Sequence, residues 1–212
     1  MQFKEFFIRL IGKRKPTILQ MLFRRGQIFY ERQIGLDFLS VNSVEDLGLD
    51  SKLVSKCSPS GNKYLVKCFS DFKITKEDSI LDIGCGKGSA IRALSSFNFY
   101  KIDGLEISEY LANIARANFK NLKGNKPNIF NCNALKFNDY NNYNYLYLYN
   151  PFPPSVFEGF LLILNSQIKS KKLFIIYNNP VCGQLLIEDG FKLIKNYPDQ
   201  WGNGIILYSK NY

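Results

Sequence analysis

The chain has 212 residues, of which 46% are hydrophobic and 22% charged, enough apolar content for one full core. It has no histidine, and its five cysteines (Cys57, Cys68, Cys85, Cys132 and Cys182) include no Cys-x-x-Cys pair, which argues against a zinc centre. No apolar stretch is long enough to span a bilayer and no small-residue cleavage site follows the charged N-terminus, so the chain reads as a reduced, cytoplasmic protein.

The net charge is +10, and its location matters more than its size. Residues 1–32 hold eight Lys or Arg against two Glu, a net of +6. The basicity therefore belongs mainly to an N-terminal segment and not to a groove spread over the whole chain. No aromatic–basic RNA motif accompanies it, so nucleic acid is not the expected partner.

Residues 1–30 pattern as one or two helices. Phe3, Phe6, Phe7, Leu10 and Ile11 follow helical spacing, Pro16 marks a break, and Leu19, Leu22 and Phe23 resume an apolar face. The expectation is a cap whose apolar face packs on the domain or on a second subunit. Contact with a membrane surface or a partner through residues 1–32 is the alternative. Residues 31–60 lack periodicity and read as a connection lying over a site. Residues 62–72 suit a helix against a sheet.

From residue 79 the chain alternates strand and helix, the pattern of a doubly wound, mostly parallel sheet. Strands are expected at 79–83, 100–106, 128–131, 143–150 and 172–177, with helices at 90–94, 108–119, 155–165 and 181–189. Ser108 is a candidate helix cap. Residues 191–197 and 204–209 would close the sheet as an antiparallel pair, seven strands in all. In the fourth strand Tyr143, Tyr145, Tyr147 and Tyr149 alternate onto one face. The expected division is an N-terminal helical extension over 1–59 and an α/β domain over 60–212.

The stretch around which this is organised is SILDIGCGKGSAIRAL, beginning at Ser79. Gly84, Gly86 and Gly88 recur at every second position between a strand and a helix, as in a tight turn passing close to a ligand. Asp82 lies two residues before the first glycine. The stretch resembles the Asp-x-Gly-x-Gly-x-Gly motif of the class I S-adenosyl-L-methionine-dependent methyltransferases, a Rossmann-like α/β family. The dinucleotide pattern Gly-x-Gly-x-x-Gly fits less well, because Ser89 stands where its third glycine belongs. A carboxylate beside the loop would also repel a pyrophosphate, whereas S-adenosyl-L-methionine brings an ammonium and a sulfonium.

The resemblance implies further cofactor-binding residues. Glu106 ends the second strand and would accept hydrogen bonds from the ribose hydroxyls. Asn133, after the third strand, would contact the adenine amino group, where the family often has Asp. Asn150-Pro151-Phe152-Pro153-Pro154 follows the fourth strand, where the family places substrate-facing residues. It resembles the Asn/Asp-Pro-Pro-Tyr/Phe motif of amine N-methyltransferases, with Phe152 one position early, and the Asn-Pro-Phe of small bacterial methyltransferases of unassigned substrate. Asn150, Pro151 and Phe152 are thus the candidate catalytic residues, Asn150 also bordering the cofactor. Read as strand-exit chemistry alone, Asn-Pro is an ordinary turn. A second such pair, Asn179-Pro180, ends the fifth strand and is expected to border the same pocket.

Together these point to a methyltransferase acting on a small-molecule or protein amine. With no histidine as general base, an amine acceptor asks less of the site than a hydroxyl does. O-methylation of a surface-glycan sugar or small metabolite is the alternative. A basic nucleic-acid-binding protein on a relic fold is the remote one.

Overall fold

The computed structural model describes residues 17–43, 47–48, 58–124, 126–199 and 204–212. The expected helical pattern around Phe3–Ile11 and the break at Pro16 lie outside them. Seven strands form one sheet in the order β3-β2-β1-β4-β5-β7-β6. They are β1 (Ser79–Ile83), β2 (Lys101–Glu106), β3 (Ile129–Asn131), β4 (Tyr145–Tyr149), β5 (Lys172–Asn178), β6 (Lys192–Tyr197) and β7 (Ile205–Asn211). The first five pair in parallel, and β7 runs antiparallel to both β5 and β6. β1 is buried along its whole length, which is why its sequence is a continuous run and not an alternating one.

Among the described residues six α-helices flank or precede the strands: α1 (Ile18–Gln33), α2 (Lys63–Ser70), α3 (Ser89–Leu94), α4 (Glu109–Asn121), α5 (Pro154–Gln167) and α6 (Gly183–Glu188). Each sheet face has its own core. On one, α2, α3 and α4 bring Phe69, Ile91 and Phe119 against Ile80, Tyr145, Tyr147 and Ile176. On the other, α5 and α6 bring Phe157, Phe160 and Leu186 against Leu81, Leu146, Leu148 and Ile175. The period-two alternation of β4 thus fills both cores at once.

The tyrosine stripe is shorter than the sequence suggests. Tyr143 follows a 3-10 turn over Tyr140–Asn142, which breaks the strand period before β4 begins. Its ring belongs to the second core, opposite Tyr145 and Tyr147, and its hydroxyl donates to Asp103 Oδ2 at 2.7 Å.

α1 starts on a capping box in which Thr17 and Gln20 exchange hydrogen bonds. The expected packing of its apolar face on the domain is not what is found, for Leu19, Leu22 and Phe23 are exposed. The helix is docked instead by its last turn. Glu31 is buried, accepts from the backbone N–H of Phe38 and Leu39, and pairs with Arg92 of α3 at 2.8 Å. One buried carboxylate holding two backbone amides and a guanidinium is a stronger tether than a partial apolar contact on a short helix. Among the described residues no helix is long and apolar enough to cross a membrane.

Candidate active site

β1 lies between β2 and β4, so the connections leaving it and β4 diverge to opposite sides of the sheet. A crevice opens at the carboxyl ends of strands at such a reversal. The glycine turn leaves β1 into this crevice and the Asn150 turn leaves β4 into it. Gly84, Gly86 and Gly88 all have positive φ, at 74°, 53° and 86°. At Gly88 no side chain fits, because its Cβ would lie 2.5 Å from the Phe119 ring of α4. The turn is bound to the end of β2: Gly84 N and Cys85 N both donate to Leu105 O, at 2.8 and 3.0 Å.

Glu106 is buried at the end of β2 and lines the cavity. One carboxylate oxygen accepts from Gly86 N and the other from Ser108 N, both at 2.8 Å. Burial pushes its carboxyl above the usual range, while those backbone hydrogen bonds pull the other way. Glu106 therefore also shapes the glycine turn, a role its spacing alone did not reveal. Each oxygen keeps a second lone pair for a ligand hydroxyl.

Asp82 is buried in β1, level with Gly104 and Tyr147 of the neighbouring strands. Its carboxylate makes no hydrogen bond among the described residues. Burial raises its carboxyl well above the usual value, and the charge of Glu106 adds to the effect. It lies behind the cavity wall and not among the lining side chains. Two buried carboxylates with no cation between them make this end of the crevice attractive to a positive ligand.

Asn133 lines the cavity and caps the 3-10 turn Ala134–Lys136, its Oδ1 accepting from Leu135 N at 2.8 Å. The oxygen expected to meet an adenine amino group thus has one lone pair already engaged.

Asn150, Pro151 and Phe152 all line the same cavity. Asn150 adopts a positive φ of 43°, a conformation Asn tolerates better than most residues, and its Oδ1 accepts from the Tyr177 hydroxyl at 3.3 Å. Pro151 sits against the glycine turn, 3.1 Å from where a Cβ on Gly84 would lie. Phe152 is buried and packs on Phe157 and Phe160, so most of its ring belongs to the core beneath the cavity. The second Asn-Pro turn does not border the cavity as expected. It is joined to the first from below, since the Tyr177 hydroxyl that donates to Asn150 also accepts from Cys182 N at 3.3 Å.

The stretch expected to lie over the site does contribute a wall, though the sequence did not show what ties it there. Phe38, Ser40, Leu47, Ser58, Pro59 and Ser60 line the cavity opposite the strands. The tie is Lys87, inside the glycine turn, whose buried ammonium reaches Asp37 Oδ2 at 2.7 Å and Ser40 Oγ at 2.5 Å. Burial alone would raise the Asp37 carboxyl, but hydrogen bonds from Lys87 and Ser40, with the Lys87 charge, hold it below the usual range. Asn118 of α4 completes the knot, accepting from Asp37 N and donating to the carbonyls of Asp37 and Lys87. The one signal available was a lysine inside a glycine turn, masked by the abundance of lysine along the chain.

Strand order, the reversed seventh strand and the placement of the cavity define the class I methyltransferase fold. Solved structures share it. A SAM-dependent methyltransferase of Aquifex aeolicus superposes with a TM-score of 0.54 at 16% identity, covering 68% of this chain and 87% of its own. The ribosomal protein L11 methylase of Lactobacillus delbrueckii subsp. bulgaricus gives 0.54 at 15% identity, over 69% and 76%. Magnesium protoporphyrin IX methyltransferase of Synechocystis, solved with bound SAM, gives 0.51 at 13% identity, over 96% and 88%. No protein-family model and no curated protein matches the sequence.

Proposed function

We propose that the chain is an S-adenosyl-L-methionine-dependent methyltransferase that acts on an amine nitrogen of a small molecule or protein. The observation that carries the cofactor reading is the buried pair Asp82 and Glu106 behind and beside a glycine turn. A cation relieves their mutual repulsion, whereas the pyrophosphate of a dinucleotide aggravates it. The residues fit the cofactor's parts: Glu106 has lone pairs for ribose hydroxyls, Asp82 offers charge to the ammonium, and the backbone N–H groups of the turn offer donors to the carboxylate.

The cofactor supplies an electrophilic methyl group on a sulfonium. The chain's contribution is to hold the acceptor in line with it and to exclude water. Asn150 presents an amide oxygen at the cavity edge, steadied by the Tyr177 hydroxyl, and such an oxygen accepts a hydrogen bond from an amine N–H. Among the described lining residues Glu106 is the one carboxylate, and it is occupied with the turn. Tyr149 is the lining phenol, and burial raises its hydroxyl above the usual value, so its ionised form is scarce at neutral pH. That leaves the site poorly equipped to deprotonate an alcohol, which favours the amine over the O-methylation reading.

Calorimetry with S-adenosyl-L-methionine, its demethylated product and NAD tests the cofactor. Binding of the first two and silence with NAD is expected, and the reverse sinks the proposal. Labelled cofactor then reports on panels of amines, proteins and glycans. Methyl transfer confined to hydroxyl acceptors rejects the amine reading while leaving the cofactor reading intact.

A further inference from the structure

The feature left unused by the site is the outer face of α1. Ile18, Leu22 and Phe29 are 79%, 57% and 65% exposed. At 3.6 residues per turn they fall within about 40° of arc, on the side of the helix opposite Glu31. Leu19, also exposed, widens the apolar face on one flank, beyond which Phe23 and Tyr30 line the groove between the helix and the domain. Arg25 and Arg32 edge the other flank, and neither pairs with an acid among the described residues. The helix's one acid, Glu31, is turned into the domain and paired with Arg92, so the outward charge of α1 is wholly positive.

From this we propose that α1 lies on the surface of an anionic lipid bilayer, its apolar face among the acyl chains and its arginines among the headgroups. A helix with a broad apolar arc edged by basic residues is the form that settles in a membrane interface. Charge complementarity extends along the sequence: residues 1–16 add five Lys or Arg against one Glu. The sign of the charge argues against a second copy of the chain. A two-fold pairing through this face would oppose the Arg25 and Arg32 rows of two molecules that each carry +10. The helix is also built to stand without the domain beneath its apolar residues, because the Thr17 capping box holds its start and Glu31 holds its end.

Co-sedimentation of the full chain with vesicles tests this. Equimolar phosphatidylcholine and phosphatidylserine should bind it at least about tenfold more tightly than phosphatidylcholine alone, with weakening as salt is raised. Leu22→Gln with Phe29→Gln should lower that binding by at least about tenfold at unchanged Tm, since neither residue is in a core. Arg25→Gln with Arg32→Gln should weaken the preference for the anionic vesicles, the basic residues of 1–16 keeping the remainder. Absence of vesicle binding overturns the proposal, and so does binding that the Leu22 and Phe29 pair leaves unaltered. A dimer in sedimentation that this pair abolishes assigns the face to a second copy, and retention on RNA that it abolishes assigns it to nucleic acid; either result overturns the lipid reading.

Discussion

Asp82 carries a burial cost that a cationic ligand beside it would offset. Its folded carboxyl is raised above the unfolded value, so the folded state holds the proton more tightly. Stability is therefore greatest below the unfolded value and declines as pH rises through the raised one. The expectation is that Tm of the ligand-free protein falls across that window and that Asp82→Asn flattens the fall and raises Tm at neutral pH. The same variant should bind S-adenosyl-L-methionine more weakly, which titration at neutral pH reads directly. Asp37 works in the opposite sense, its lowered carboxyl losing stability toward acid, so the informative quantity is the difference between variant and parent. Glu106→Ala should weaken cofactor binding by about 1.5–3 kcal/mol. It should also destabilise the ligand-free fold by about 1–3 kcal/mol, because the buried N–H groups of Gly86 and Ser108 lose their acceptor. Calorimetry and denaturant unfolding separate the two effects. Asn150→Ala should leave cofactor affinity intact and lower turnover on the order of 100-fold, since an acceptor without its anchor loses near-attack geometry. Normal turnover would return the residue to a turn.

Among the elements, those defined by local pattern were legible and those defined by distant partners were not. Strands of continuous apolar residues and helices with a cap, such as Ser108 before α4, announce themselves within ten residues. The glycine turn was legible for the same reason, as was the acid at the end of β2. The convergence of Asn150 with the second Asn-Pro turn was legible only in part. Neighbouring strands bring the turns together, but only the first lines the cavity, and the Tyr177 hydroxyl that links them is a contact no sequence pattern states. Least legible was the Lys87–Asp37 pair, which joins residues fifty positions apart. Lys87→Met should cost about 1–3 kcal/mol by taking the charged donor from Asp37 Oδ2 and Ser40 Oγ. Adding Asp37→Asn to it should recover part of that loss, a coupling that a double-mutant cycle in urea measures.

For the molecule as a whole, the extension and the α/β domain share one cavity, so the expected division at residue 59 separates lengths of sequence more cleanly than it separates parts of the site. Removing residues 1–40 takes away Glu31, Asp37, Phe38 and Ser40 together, and with them part of one wall and the partners of Lys87 and Arg92. Such a truncation should lower both Tm and cofactor affinity, whereas an independent appendage would lower neither; thermal melts with and without S-adenosyl-L-methionine distinguish the outcomes. Glu31 has a wider meaning in this setting. With one carboxylate it anchors α1 and with the same carboxylate it fixes the amides of Phe38 and Leu39 at the cavity rim. Whatever steadies the helix therefore steadies the rim, and whatever fills the cavity steadies the helix. A surface that, by gripping α1, tightened the crevice around a small molecule would be gripped more tightly in return, by the same factor.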